Sequence, residues 1–126
     1  MRKAVVILFA VFLASCASLI AESPAQRVYA AQADFNGLLT AAVAYESQPR
    51  CTEGQSQLDG CSDPDAVEAL RLGYRDVQAA LQAAQKTVRD PAANEDNIEL
   101  ALIGAAHAIQ AFRVILTNHQ IMGVPK

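Results

Sequence analysis

The sequence predicts an all-α fold, an antiparallel three-helix bundle over residues 23–126. Three observations predict it. The same start signal, an oxygen-bearing side chain followed by proline, occurs at Ser23-Pro24, Asp63-Pro64 and Asp90-Pro91. Behind each signal, apolar residues recur in alternating steps of three and four, the spacing of a helix face that packs lengthwise against another helix. The chain has no Trp and only 6% aromatic residues, so its core is built from aliphatic side chains and Ala, which suits close-packed helices better than a sheet. No run shows the period-two alternation of a strand, and the length of 126 residues suits one compact domain.

The chain opens with Arg2 and Lys3, then an unbroken apolar run from Ala4 to Ala14. That charge order and length are those of a secretory signal. The run is too short to span a bilayer, which needs roughly 20 apolar residues. It ends in Leu13-Ala14-Ser15-Cys16, which resembles the lipobox of bacterial lipoproteins at all four positions. The resemblance implies a signal peptide over residues 1–15 and a mature N-terminus at Cys16, carrying thioether-linked diacylglycerol and usually an amide-linked acyl chain such as palmitate. Each buried CH₂ contributes about 0.8 kcal/mol, so two or three chains anchor durably where one binds reversibly. Ala17 follows the cysteine where inner-membrane lipoproteins carry Asp, so the resemblance implies the outer membrane of a Gram-negative envelope, on its periplasmic side. Ordinary secretion with cleavage near Ala17 or Ala21 is the competing reading, and it would discard Cys16.

Residues 16–22 then form a lipidated N-terminus and short tether, of at most about 25 Å when extended. The first helix is expected over 24–48. Ser23 and Gln26 make a capping-box pair, and Val28, Ala31, Phe35, Leu38, Ala42 and Tyr45 form its apolar stripe. Gln48-Pro49-Arg50 ends it, and residues 51–62 form a polar connector. The second helix is expected over 64–89, with the stripe Val67, Leu70, Tyr74, Val77, Leu81, Ala84 and Val88. The third is expected over 92–121, with Ile98, Leu102, Ala105, Ile109, Phe112 and Leu116, and with Asn94 as an alternative cap to Asp90. Gly123 and Pro125 are expected to stop it. Association with another chain would also explain the stripes; short connections favour packing within one chain.

Three cysteines are an odd number for an exported protein. If the lipobox resemblance holds, Cys16 is committed to lipid, and Cys51 and Cys61 remain as a pair free to bridge in an oxidising periplasm. The loop so closed, of about eleven residues, would contribute on the order of 3 kcal/mol through chain entropy. Metal binding is the rival reading of the pair, but nine intervening residues and no nearby His fit no common zinc spacing.

Residues 16–126 carry eight Lys and Arg against thirteen Asp and Glu, a net charge of −5, which repels nucleic acid. The sequence offers no catalytic triad elbow, no zinc-protease motif, no phosphate loop and no cofactor motif. His107 falls off the third stripe, and His119 sits near that helix's C-terminus, where a cation is favoured. Both read as structural. Glu53, Asp59, Asp63, Asp65 and Glu68 could gather around calcium, but capping by Asp63 and solvation explain them more simply. Arg71 and Arg75 share a helix face and could grip an anion, with Glu68 as a weak intrahelical partner for Arg71. Gly104 is expected to permit close helix approach. Lys126 ends the chain as lysine ends the murein-linked lipoproteins, a resemblance that implies a peptidoglycan link, although Gly-Val-Pro-Lys lacks the usual Tyr/Arg context.

These readings converge on a non-enzymatic, lipid-anchored envelope protein without a cofactor, held to the membrane by N-terminal acyl chains. Antiparallel helices of about 37 Å put the 51–61 loop and the C-terminus at the end far from the membrane. An envelope protein partner is expected there, on Arg50, Gln55, Gln57, Asp59 and His119. Outer-membrane tethering through Lys126 and binding of a small ligand are the alternatives.

Overall fold

A computed structural model describes residues 23–56 and 59–121. The expectations for residues 1–22, Cys16 and Ala17 among them, and for Gln57, Gly123 and Lys126 lie outside the described residues.

Three helices form, α1 over Pro24–Glu46, α2 over Pro64–Arg89 and α3 over Glu95–Asn118. The capping box of α1 is present: the Ser23 hydroxyl accepts from the Gln26 N–H, and the Ser23 N–H donates to Gln26 Oε1 at 2.7 Å. Asp63 caps α2 by accepting from the N–H groups of Asp65 and Ala66 at 2.8 and 3.0 Å. These contacts satisfy donors that the first helical turn leaves orphaned.

The third start signal is corrected. Asp90-Pro91 does not open a helix: Asp90 is the extended C-terminal cap of α2, its carboxylate accepts the Ala92 N–H, and a turn follows. The helix opens at the alternative cap, where the Asn94 side chain accepts the Asn97 N–H at 2.8 Å. An Asx-type turn competes with helix nucleation because the aspartate side chain bonds the backbone two residues on. The end of α3 is corrected too. It stops at Asn118, well before Gly123, with Gln120 in the left-handed region at φ 55° and the Ile121 N–H closing back on the Leu116 carbonyl at 2.9 Å. That closure satisfies a last-turn carbonyl without glycine. Likewise α1 ends at Glu46, with Ser47 as its cap.

Helices α1 and α3 run parallel to each other, and α2 runs antiparallel to both. Arg27 near the start of α1 pairs with Glu99 near the start of α3, and Asp34 pairs with Arg113 further along. Helices α2 and α3 pack more extensively against each other than either does against α1.

The core follows the predicted stripes closely. Val28, Phe35, Leu38, Ala42 and Tyr45 are buried on α1, and Leu102, Ala105, Ile109, Phe112 and Leu116 on α3. At its centre, Phe112 meets Phe35 edge-on at 5.4 Å, and Phe35 stacks on Tyr74 at 5.9 Å, so each helix contributes one ring. Aromatic pairs in these geometries add to what burial alone supplies.

On α2 the stripe is corrected by one residue: Gly73 is buried and Tyr74 is 39% exposed. The reason is close approach. A Cβ at Gly73 would lie 2.9 Å from both Ile115 Cδ1 and Phe112 Cδ2. Gly104, expected to hold that role, is exposed with open space beside it.

Candidate functional site

The end of the bundle where α1 passes into α2 collects most of the residues singled out in the sequence. Cys51 and Cys61 are bonded, with their Cα atoms 4.9 Å apart. Backbone bonds zip the loop at its base: the Cys51 N–H donates to the Ser62 carbonyl at 3.0 Å, and the Ser62 N–H donates to the Pro49 carbonyl at 2.8 Å. Ser62 is almost fully buried, its hydroxyl donating to the Gln48 carbonyl at 3.2 Å. The buried Tyr45 hydroxyl accepts the Asp63 N–H at 2.8 Å, which fixes the end of α1 to the start of α2. Gly54 and Gly60 hold φ of +86° and +76°, conformations that an L side chain adopts at a cost.

Within that frame the predicted partner residues take definite positions. Arg50 is exposed at the loop base. Gln55 Oε1 accepts from the backbone N–H and the hydroxyl of Thr52, both at 3.0 Å. Asp59 Oδ2 accepts from the backbone N–H and hydroxyl of Ser56. Of the acids considered for calcium, Asp59 is used in this local turn and Asp63 in the cap of α2. Among the described residues, no group of three or more His, Cys, Asp or Glu is placed to hold a metal ion. His119 lies at the same end, half-buried as the C-terminal cap of α3, and His107 is exposed at mid-helix.

Sequence reasoning missed the groove beside this loop. A cavity of about 510 Å³ opens between the C-terminal half of α1 and the N-terminal half of α2. Its floor is apolar, from Leu39, Ala42, Val43, Leu70, Tyr74 and Phe112, and its rim carries Glu46, Glu68, Arg71 and Arg75. Ala42, a small buried side chain of α1, lines it, and α1 meets α2 less extensively than α3 does. Val43 stays 56% exposed on its wall. Leu39 and Val43, apolar yet off the core stripe at a spacing of four, were the available signal.

The rim is polarised. Arg71 reaches across to Glu46 on α1 through both Nε and Nη2, where the sequence suggested only intrahelical Glu68. That pairing raises the Arg71 pKa, first by the hydrogen bond and then by the charge of Glu46. Arg75 makes no ion pair among the described residues, so the groove offers an apolar floor beside an available cation. Such a surface suits an apolar segment that carries a carboxylate.

The chain matches no protein-family model, no curated protein and no solved structure.

Proposed function

We propose that the protein is a non-enzymatic, lipid-anchored module of the cell envelope, which presents its loop end to a protein partner. The acylated residue in this reading is Cys16, and its membrane is the outer membrane, facing the periplasm. The observation that carries the reading is the groove. It lies at the end of the bundle reached after one full helix from the N-terminal tether, with an apolar floor, an available Arg75 and a loop closed by a disulfide beside it. A 23-residue α1 is about 35 Å long, and in this reading that length holds the groove away from the anchored N-terminus, where a partner can reach it. The partner segment in this reading is apolar with an acidic residue, and a closed loop lowers the ordering entropy its capture would cost.

Two measurements test the reading separately. Intact-mass analysis of the mature N-terminus is expected to find acyl mass on Cys16; a chain beginning elsewhere overturns the anchorage. A photocrosslinking residue at Val43 in the full chain, activated in isolated envelopes, is expected to capture one discrete envelope protein, and Arg75→Glu is expected to cut that yield by about tenfold. Equal yield from Val43 and from a control position at Ala83, on the exposed side of α2, overturns the partner assignment.

A further inference from the structure

The carboxamides of the first two helices gather in one place. Gln32 and Asn36 of α1 and Gln78, Gln82 and Gln85 of α2 line a second groove between these helices, of about 390 Å³, nearer the start of α1 than the groove of Arg75. They include every glutamine of α2, and on α1 only Gln26 stands apart, spent in the capping box. Buried Phe35 and Leu81 form the floor, and no charged residue lines the groove. None of the five amides has a side-chain hydrogen-bond partner among the described residues, although they share one cavity. The polar atoms of Gln32, Gln78 and Gln85, which are half-buried, stay open to solvent. Each amide therefore keeps two N–H donors and an acceptor oxygen for something else.

The lining selects the chemistry of that ligand. Without a cation on its walls the groove does not draw a phosphate or a carboxylate, and without an acid it does not draw an amine or a metal ion. Peptides are held at sheet edges, in apolar grooves or in aromatic-lined channels, whereas here both walls are helical and amide-covered. Hydroxyl groups both donate and accept, as carboxamides do. A saccharide carries such groups around its rim and C–H bonds on its ring faces, so it is best met by amides beside an aromatic platform. That platform is present. A shallow cleft of about 50 Å³ shares Gln32 and Gln85 with the groove and reaches Tyr29, which is 67% exposed.

We propose that this groove binds a neutral oligosaccharide. The five amides hydrogen-bond its hydroxyl groups, or the acetamido groups of an N-acetylated sugar, and Tyr29 packs on a ring at the end of the site. The volume falls within the range of about 300–1,000 Å³ usual for small-ligand sites. Arg89 borders the Tyr29 cleft, so an acidic sugar is the discriminating competitor.

The test is a titration of the isotopically labelled full chain, held in a detergent without sugar headgroups and followed by NMR, which reads the side-chain NH₂ signals of Gln and Asn directly. The neutral probes are the N-acetylglucosamine tetramer and cellotetraose; the acidic probe is the galacturonic acid tetramer. A neutral probe is expected to shift the NH₂ signals of Gln78 and Gln82 saturably and to leave that of Gln110, an exposed amide on α3, in place. Gln78→Leu combined with Gln82→Leu is expected to weaken binding by about tenfold, and Gln110→Leu to leave it unchanged. Gln82→Glu, of the same size, is expected to weaken it too, because two donors are lost. Circular dichroism confirms that these substitutions leave the helices intact. Absence of shifts with both neutral probes, tighter binding of the acidic one, or an equal loss in Gln110→Leu overturns the site. Neither crosslinking at Val43 nor acyl mass on Cys16 enters these readouts, so this proposal and the partner reading stand or fall separately.

Discussion

Gly73→Ala is expected to destabilise the bundle, although alanine is the better helix former. In an unobstructed helix interior the change stabilises by about 1 kcal/mol. At position 73 the added methyl would sit 2.9 Å from Ile115 Cδ1 and from Phe112 Cδ2. Ile115 is half-buried and its terminal methyl can swing aside. Phe112 has no exposed surface and its ring is held edge-on against Phe35, so it yields only by shifting α3. Overpacking of this kind costs about 1–3 kcal/mol, leaving a net loss of about 1 kcal/mol. For a domain of this size that is a fall in Tm of roughly 4–8 °C. Gly37→Ala is the internal comparison: no atom lies within 4 Å of its new methyl, and it is expected to raise Tm by a few degrees. The assay is thermal unfolding followed by circular dichroism on both variants, and on Gly73→Ala combined with Ile115→Val, which removes one of the two clashing atoms and should recover part of the loss. If Gly73→Ala stabilised as much as Gly37→Ala, the close packing of α2 on α3 at this point would be refuted.

Cys61→Ser should lower stability by about 3 kcal/mol through the reopened loop while leaving helical circular dichroism intact, since no helix contains the disulfide. Tyr45→Phe should cost about 1–2 kcal/mol in chemical denaturation, because it strips a 2.8 Å partner from the Asp63 N–H; no loss would mean that this N–H finds water instead. Glu99 has its pKa lowered, chiefly by the Arg27 hydrogen bond. A carboxylate depressed in the folded state contributes stability above its unfolded pKa, near 4.3, that disappears as pH falls through the folded value. Glu99→Gln should therefore weaken the bundle slightly at pH 7 and flatten its stability profile below about pH 4.3, read by denaturant midpoints across that range.

How far the sequence carried the fold depends on the range of the interaction. Capping at Ser23 and Asp63 involves neighbours in the chain, and both were legible. The rows from Val28 to Tyr45 and from Leu102 to Leu116 were equally so, because burial repeats with the helical period. Asp90-Pro91 misled because aspartate before proline serves a tight turn as well as a helix start, and the choice fell to Asn94 three residues on. Tyr74 and Gly73 exchanged roles for a reason no single helix contains: only the ring of Phe112, on another element, decides which of two adjacent residues can face it. The groove was hidden for the same cause. Leu39 and Val43 stand off the core stripe and Arg75 shares a face with Arg71, but only the rotation and spacing of α1 on α2 bring the three to one cavity. The Arg71–Glu46 pair, 25 positions apart, was out of reach of any intrahelical rule.

Every ion pair among the described residues, Arg27 to Glu99, Glu46 to Arg71 and Asp34 to Arg113, fastens α1 to one of the other two helices, and none joins α2 to α3. Exposed pairs of this sort weaken as salt screens them, whereas the apolar contact of α2 with α3 does not. The molecule is thus an α2–α3 hairpin on which α1 packs through its buried row from Val28 to Tyr45 and is clipped at the rim by exposed ion pairs. A pull transmitted from the N-terminal side arrives at the clipped helix first, so high ionic strength and mechanical load act on the same joint. Amide exchange in α1 should quicken with added salt well before the hairpin responds.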